Sequence, residues 1–186
     1  MVRLLALLLF SSVYQLASAQ AENLGLSDGV ASFDVSSFTL QLVKDSQTAF
    51  SLKPKSSGGK FDFLPFDAMT KRSSNGQYHL GDITFRVRRV GTTSWSNGDS
   101  AQARAKVTPL AVSGNTLAAA NLSPTLPANS LLKITRRWVN SNGKLQLLFD
   151  VTNNQNFAVE IGAIGAPLEF NNASNIHCYH ASRDKR

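Results

Sequence analysis

The sequence predicts an all-β domain, an antiparallel β-sandwich of supersandwich-like type with a disordered C-terminal tail. Three observations predict it. Apolar and polar residues alternate at period two wherever periodicity is visible, as in Phe38, Leu40 and Leu42 against Thr39 and Gln41. Turn-forming clusters of Ser, Asn and Gly recur at roughly ten-to-fifteen-residue spacing between those runs. No stretch offers an amphipathic helix of about twelve residues or more.

The elements follow in chain order. Residues 1–19 open with Arg3, run apolar from Leu4 to Phe10 and close on Ala17-Ser18-Ala19. These are the three regions of a secretory signal peptide. The apolar part is shorter than the roughly twenty residues that a spanning helix needs. Cleavage before Gln20 is expected, so the protein is expected to be secreted and extracellular, with no membrane contact after signal removal. The β-sandwich domain is then 20–170 and the tail 171–186.

Within the domain, Ile83, Phe85 and Val87 alternate with Thr84, Arg86 and Arg88, a strand with an apolar inner and a basic outer face. Leu132 and Ile134 alternate with Lys133 and Thr135, and Trp138 shares their parity, which points it at the core. Leu145, Leu147 and Phe149 follow after Asn140-Ser141-Asn142-Gly143, whose Asn-Gly step suits a tight hairpin. Further turns are expected at Ser56–Gly59, Ser73–Gly76, Ser96–Asp99 and Ser113–Asn115. Thr116 to Asn121, with three alanines, suggests a helical turn stopped by Pro124 and Pro127. Phe61 to Asp67 sets three phenylalanines around Pro65, as in an edge or an ordered loop packed on the core. Phe157 to Phe170 reads as an apolar strand and a glycine-rich turn, and beyond it no strand or helix period remains.

The chain has 186 residues, 42% hydrophobic, enough for one domain with a real core, and its single cysteine excludes a disulfide-rich scaffold. Asn121-Leu122-Ser123 and Asn172-Ala173-Ser174 are candidate N-glycosylation sites, at Asn121 and Asn172, with Pro124 making the first the poorer acceptor. Asp62, Asp67, Asp82 and Asp99 lie in or beside expected turns, where aspartate caps and bends the chain. No Gly-x-Ser-x-Gly elbow and no phosphate-cradling glycine loop occurs, so no catalytic residue is assigned. His177, Cys178 and His180 are metal-ligand types, but a structural zinc site needs a second, well-separated pair; no metal and no cofactor is expected. The net charge of +7 includes the clusters Arg86-Arg88-Arg89 and Arg136-Arg137, which read as solvated strand faces or an inter-domain contact rather than as a nucleic-acid surface in an exported protein. A polysaccharide partner would be met by exposed aromatic rings; Trp95, in the turn-like stretch Thr92 to Gly98, and Tyr78 are the candidate contacts.

From about residue 28 to 172 the order of features resembles a family of long, secreted, mostly fungal, uncharacterised proteins. The stretches that carry it are Phe61 to Asp67, Tyr78 to Arg88, Ile134 to Trp138, Leu145 to Thr152 and Val159 to Pro167. Gly81-Asp82-Ile83-Thr84-Phe85-Arg86-Val87-Arg88 and Val159-Glu160-Ile161-Gly162-x-x-Gly165-x-Pro167 are the more specific. The resemblance implies an N-terminal sandwich followed by an (α/α)6 toroid of the six-hairpin glycosidase type, with the catalytic acids on the toroid and none here. It also implies that the chain is a truncated product, with the tail 171–186 non-native and the (α/α)6 domain missing.

The leading reading is therefore a secreted, non-catalytic β-sandwich module, the truncated N-terminal domain of a glycoside-hydrolase-like protein. The alternative is a stand-alone carbohydrate-binding or cell-wall-associated module. A third reading, a self-contained hydrolase, requires a two-carboxylate cleft or a triad. A sandwich severed from a partner domain should expose an apolar patch where that partner packed.

Overall fold

The computed structural model describes residues 29–58, 60–64, 79–101 and 105–167, and the statements below concern these. The signal-like 1–19, Tyr78, the turn at Ser73–Gly76 and the tail 171–186 with Asn172, His177, Cys178 and His180 lie outside them. Ten strands build three antiparallel sheets arranged sandwich-like. Strands β1 (Val30–Asp34), β2 (Phe38–Val43) and β3 (Ala49–Pro54) form the first, in that order. The second places β4 (Thr84–Arg89) between β5 (Ser96–Asp99) and β10 (Val159–Gly165). The third runs β6 (Thr108–Pro109), β7 (Thr116–Asn121), β8 (Leu132–Ser141), β9 (Lys144–Asn153). Besides strands there are 3-10 turns at Lys55–Ser57 and Ser123–Thr125, and no α-helix occurs among the described residues.

The period-two pattern explains the layering. Strand β8 turns Leu132, Ile134, Arg136 and Trp138 inward, all buried. Leu132 and Ile134 pack with Ile83, just before β4, and with Phe85 and Val87 of the second sheet. Trp138 packs with Phe38, Leu40 and Leu42 of the first. The four-stranded sheet is thus one layer, and the two three-stranded sheets share its inner face end to end. Full burial of each such aliphatic or aromatic side chain contributes about 1.5–3 kcal/mol. The β8–β9 hairpin closes on Asn142 and Gly143, at φ 51° and 78°, with Ser141 opposite Lys144, as the Asn-Gly step requires.

Three local expectations are corrected. Thr116 to Asn121 is not a helical turn but β7, paired with β8 from Thr135 to Val139; ladder pairing and burial of Ala118, Ala119 and Ala120 outweigh the small helix preference of alanine. Ser96 to Asp99 is not a turn but β5, because Gly98 leaves the space that the Phe85 ring of the neighbouring strand occupies. Arg136, read as part of a solvated basic face, is 0% exposed.

Arg136 lies on β8 between the two apolar clusters. Its Nη1 donates to the carbonyl of Gly81, in the loop before β4, and its Nη2 to the carbonyl of Ser46, in the β2–β3 turn. Next to it, Trp138 Nε1 donates to the Gln47 carbonyl at 2.8 Å. Gly81 sits at φ 112°, and a Cβ there would come 2.8 Å from Trp138 Cζ2 and 3.2 Å from Arg136 Nη1. The same loop is tied by Asp82, which is buried and accepts from the His79 backbone at 2.8 Å and from Ser100 Oγ at 2.9 Å.

Removing the guanidinium strands two buried carbonyls and opens a cavity between the clusters. Arg136→Ala is expected to lower unfolding free energy by about 3–5 kcal/mol in urea titration. Arg136→Lys should recover less than half of it, since one ammonium does not reproduce the two-pronged fork. An unchanged midpoint in Arg136→Ala would show that the two carbonyls do not depend on it.

Candidate binding face

The outer face of the β10–β4–β5 sheet gathers the chain's densest array of cationic and aromatic side chains among the described residues. Strand alternation that buries Phe85 and Val87 turns Arg86 and Arg88 outward. Trp95, immediately before β5, crosses over them: its ring centroid lies 4.7 Å from Arg86 Cζ and 4.3 Å from Arg88 Cζ. Such cation–π contacts are worth about 0.5–1 kcal/mol at exposed sites and more where water is excluded. A register shift between Ile161 and Ala163 marks a bulge in β10 at Gly162. A Cβ on Gly162 would lie 2.6 Å from Trp95 Cζ3, so the indole rests directly on the β10 backbone. The expected glycine-rich turn is at this point a bulged strand that seats the indole.

The two arginines differ in what else holds them. Arg88 Nε donates to Glu160 Oε2 at 2.8 Å, across the ladder from its register partner on β10. Arg86 stands between Asn97 of β5 and Ala163 of β10, and no carboxylate among the described residues pairs with it. A guanidinium packed against an indole keeps in-plane N–H donors for a hydroxyl, carboxylate or sulfate. Beside them, Arg89 Cζ lies 4.7 Å from the Phe157 ring centroid.

Of the candidate contacts read from the sequence, Trp95 is half-buried on this face and Tyr78 lies outside the described residues. Alternation turns both arginines outward; nothing local in the sequence signals that Trp95 covers them, since the contact needs the β10 bulge at Gly162, far along the chain. Asn121 ends β7, and its Oδ1 accepts from the backbone N–H and the hydroxyl of Ser123 at 3.0 and 2.8 Å, the sequon closing on itself as an Asx turn.

The described aspartates of the expected turns accept hydrogen bonds from nearby groups, Asp99 from the end of β5 rather than from a turn. Asp62 accepts from Ser51 Oγ at 2.6 Å and from the backbone N–H groups of Leu52 and Leu64 at 2.9 and 3.0 Å. Asp99 accepts from the Ala101 N–H at 2.9 Å. Asp67 lies outside the described residues. On the first sheet, Lys55 Nζ lies 2.9 Å from Asp34 Oδ1, which also accepts from Thr39 Oγ1 at 3.2 Å. Among the described residues no group of three or more His, Cys, Asp or Glu is placed to hold a metal ion. No described helix is long and apolar enough to cross a membrane.

Residues 41–184 match the Family of unknown function (DUF5695), and the chain belongs to that family. No curated protein and no solved structure matches it. The resemblance to six-hairpin (α/α)6 glycosidases is thereby overturned: the family that matches is one of unknown function, and the described chain is all-β, with no α-helix.

The Asp34–Lys55 pair yields a pH prediction. The Lys55 hydrogen bond and charge, then the Thr39 hydroxyl, hold the Asp34 carboxyl below its ordinary value of 3.8, against a small opposing effect of desolvation. A carboxyl whose folded pKa is depressed stabilises the fold above its unfolded pKa, and loses that contribution as pH falls through the folded value. An NMR titration should therefore find Asp34 titrating below an ordinary aspartate, and Lys55→Met should move it back up. High salt should shrink the difference, since the pair is exposed. An Asp34 midpoint indifferent to Lys55→Met would refute the pairing.

Proposed function

We propose that this chain is a non-catalytic β-sandwich module of an exported protein, and that it contacts polysaccharide through the outer face of the β10–β4–β5 sheet. Export is supported by the charge, apolar run and small-residue close of residues 1–19. The observation that carries the contact is Trp95, fixed on Gly162 and stacked with Arg86 and Arg88. An indole held on backbone loses little further rotamer freedom on binding, and the guanidinium groups beside it offer donors to sugar hydroxyls. Because those groups occupy ring surface, the contact combines the free part of the indole with Arg86 rather than resting on an open aromatic platform.

A second reading is favoured by β10. Ile161 and Ile164 sit opposite the inward-facing Val87 and Phe85, yet are 45% and 50% exposed. An apolar overhang at a sheet edge suits packing against another domain of the same protein.

Affinity electrophoresis of the full chain through gels containing neutral or acidic polysaccharides tests the contact. Retardation by at least one polysaccharide is expected, with Trp95→Ala and Arg86→Ala each weakening it about tenfold, near 1.4 kcal/mol. Their urea midpoints serve as the folding control. No retardation by any polysaccharide, or full retardation of Trp95→Ala, would sink the contact. Amino-terminal sequencing of protein recovered from culture fluid should begin at Gln20; protein retained in cells with residues 1–19 intact would sink export.

A further inference from the structure

The outer face of the first sheet carries a polar groove, away from Trp95, with a volume of about 350 Å³. Thr39 and Gln41 of β2 and Ser51 and Lys53 of β3 form its floor, and Lys55 and Gly58 its rim. The floor is two rows of strand register, Thr39 opposite Lys53 and Gln41 opposite Ser51. Gly58, at φ 62°, closes the 3-10 turn with its N–H on the Lys55 carbonyl at 3.0 Å, which brings the rim back over the strands.

The hydrogen bonds already made determine what the groove can accept. Thr39 Oγ1 donates to Asp34 and Ser51 Oγ donates to Asp62, so both hydroxyl protons are committed and lone pairs remain. Gln41 Nε2 donates to Ser32 Oγ at 3.1 Å, which aims its amide and leaves Oε1 as an acceptor. Acceptor sites on Thr39, Ser51 and Gln41 thus outnumber the one N–H left on the Gln41 amide, which favours a ligand that supplies donors. The cations add the opposite requirement. Lys55 is neutralised by Asp34 at 2.9 Å. Lys53, exposed on the same row, has no carboxylate paired with it among the described residues, so it calls for an anion.

We propose that this groove binds a small hydroxylated carboxylate, a sugar acid or hydroxy acid, with its acid group on Lys53 and its hydroxyls donating to Thr39, Gln41 and Ser51. The cavity has room for one such unit, and the chain's net charge of +7 favours approach of anions. The site stands apart from the Trp95 face and does not depend on it.

Three probes separate the two requirements: sodium D-glucuronate has acid and hydroxyls, D-glucose only hydroxyls, and sodium acetate only the acid. Titrated into the full chain and followed by amide NMR, glucuronate should saturate and shift the signals of residues 39, 41, 51 and 53. Glucose and acetate should each bind at least about tenfold more weakly, one charge-assisted contact or one set of hydroxyl contacts being lost. Lys53→Ala should weaken glucuronate about tenfold and Gln41→Ala about fivefold. Lys133→Ala, on the outer face of the opposite sheet, and Trp95→Ala should leave it unchanged. Both groove variants alter surface side chains, and their spectra report the fold directly. Absence of saturation, equal binding of acetate and glucuronate, or equal loss in Lys133→Ala and Lys53→Ala would overturn the proposal.

Discussion

Everything in this fold depends on how two small sheets are held against one larger sheet, and the guanidinium of Arg136 makes that connection. A β8 strand of purely apolar inward residues would pack on both sheets but would leave the carbonyls of Ser46 and Gly81 buried and without donors. A neutral side chain of that length cannot serve both. The arginine fork does, and places one carbonyl from the β2–β3 turn and one from the loop before β4 on a single planar group. Trp138 extends the connection to Gln47, and Gly81 allows the backbone to approach both side chains. Burying such a charge carries a desolvation penalty, so its value lies in specifying the relative placement of the two sheets as much as in stability.

That placement decides which faces remain for recognition. With both inner faces used by the four-stranded sheet, each small sheet keeps an outer face, and the two are finished differently. On the β10–β4–β5 sheet the outward arginines of β4 are covered by an indole that the β10 bulge admits. On the β1–β2–β3 sheet the outward row is short polar side chains and lysine, with no aromatic cover, and the following turn folds back to make a rim. The first is a stacked surface and the second a concave one. Both present cations, but the first offers donors on a π-stacked frame while the second offers acceptors beneath an ammonium.

Much of the fold was legible because alternation is a local signal. Parity along Phe38 to Leu42, along Ile83 to Arg88 and along Leu132 to Trp138 placed these side chains on the correct faces, and Asn142-Gly143 gave the hairpin. Arg136 runs against its residue type: the parity that turns Trp138 inward turns it inward too, and the two carbonyls it meets there accommodate the charge. Thr116 to Asn121 and Ser96 to Asp99 failed for a different reason. Alanine and glycine there are answers to neighbouring strands, to β8 and to the Phe85 ring, and such partners are distant in sequence. The Trp95 stack combines both difficulties, since its arginines were placed by parity and its seat on Gly162 was not. Likewise, the resemblance to glycosidases rested on short motifs such as Gly81 to Arg88 that the fold uses for packing: Gly81 for the approach of Trp138, Asp82 for the loop, Phe85 and Val87 for the core.

The carboxylates complete the argument about chemistry. Every described one has work within the fold: Asp62, Asp82 and Asp99 accept from nearby backbone and hydroxyl groups, while Asp34, Asp45, Asp150 and Glu160 meet Lys55, Lys106, Arg137 and Arg88. The described cations outnumber these carboxylates, and Arg86 and Lys53 are among those that the sheets hold outward beside ordered polar or aromatic neighbours. Positive groups displayed in this way suit the holding of anionic or hydroxylated ligands.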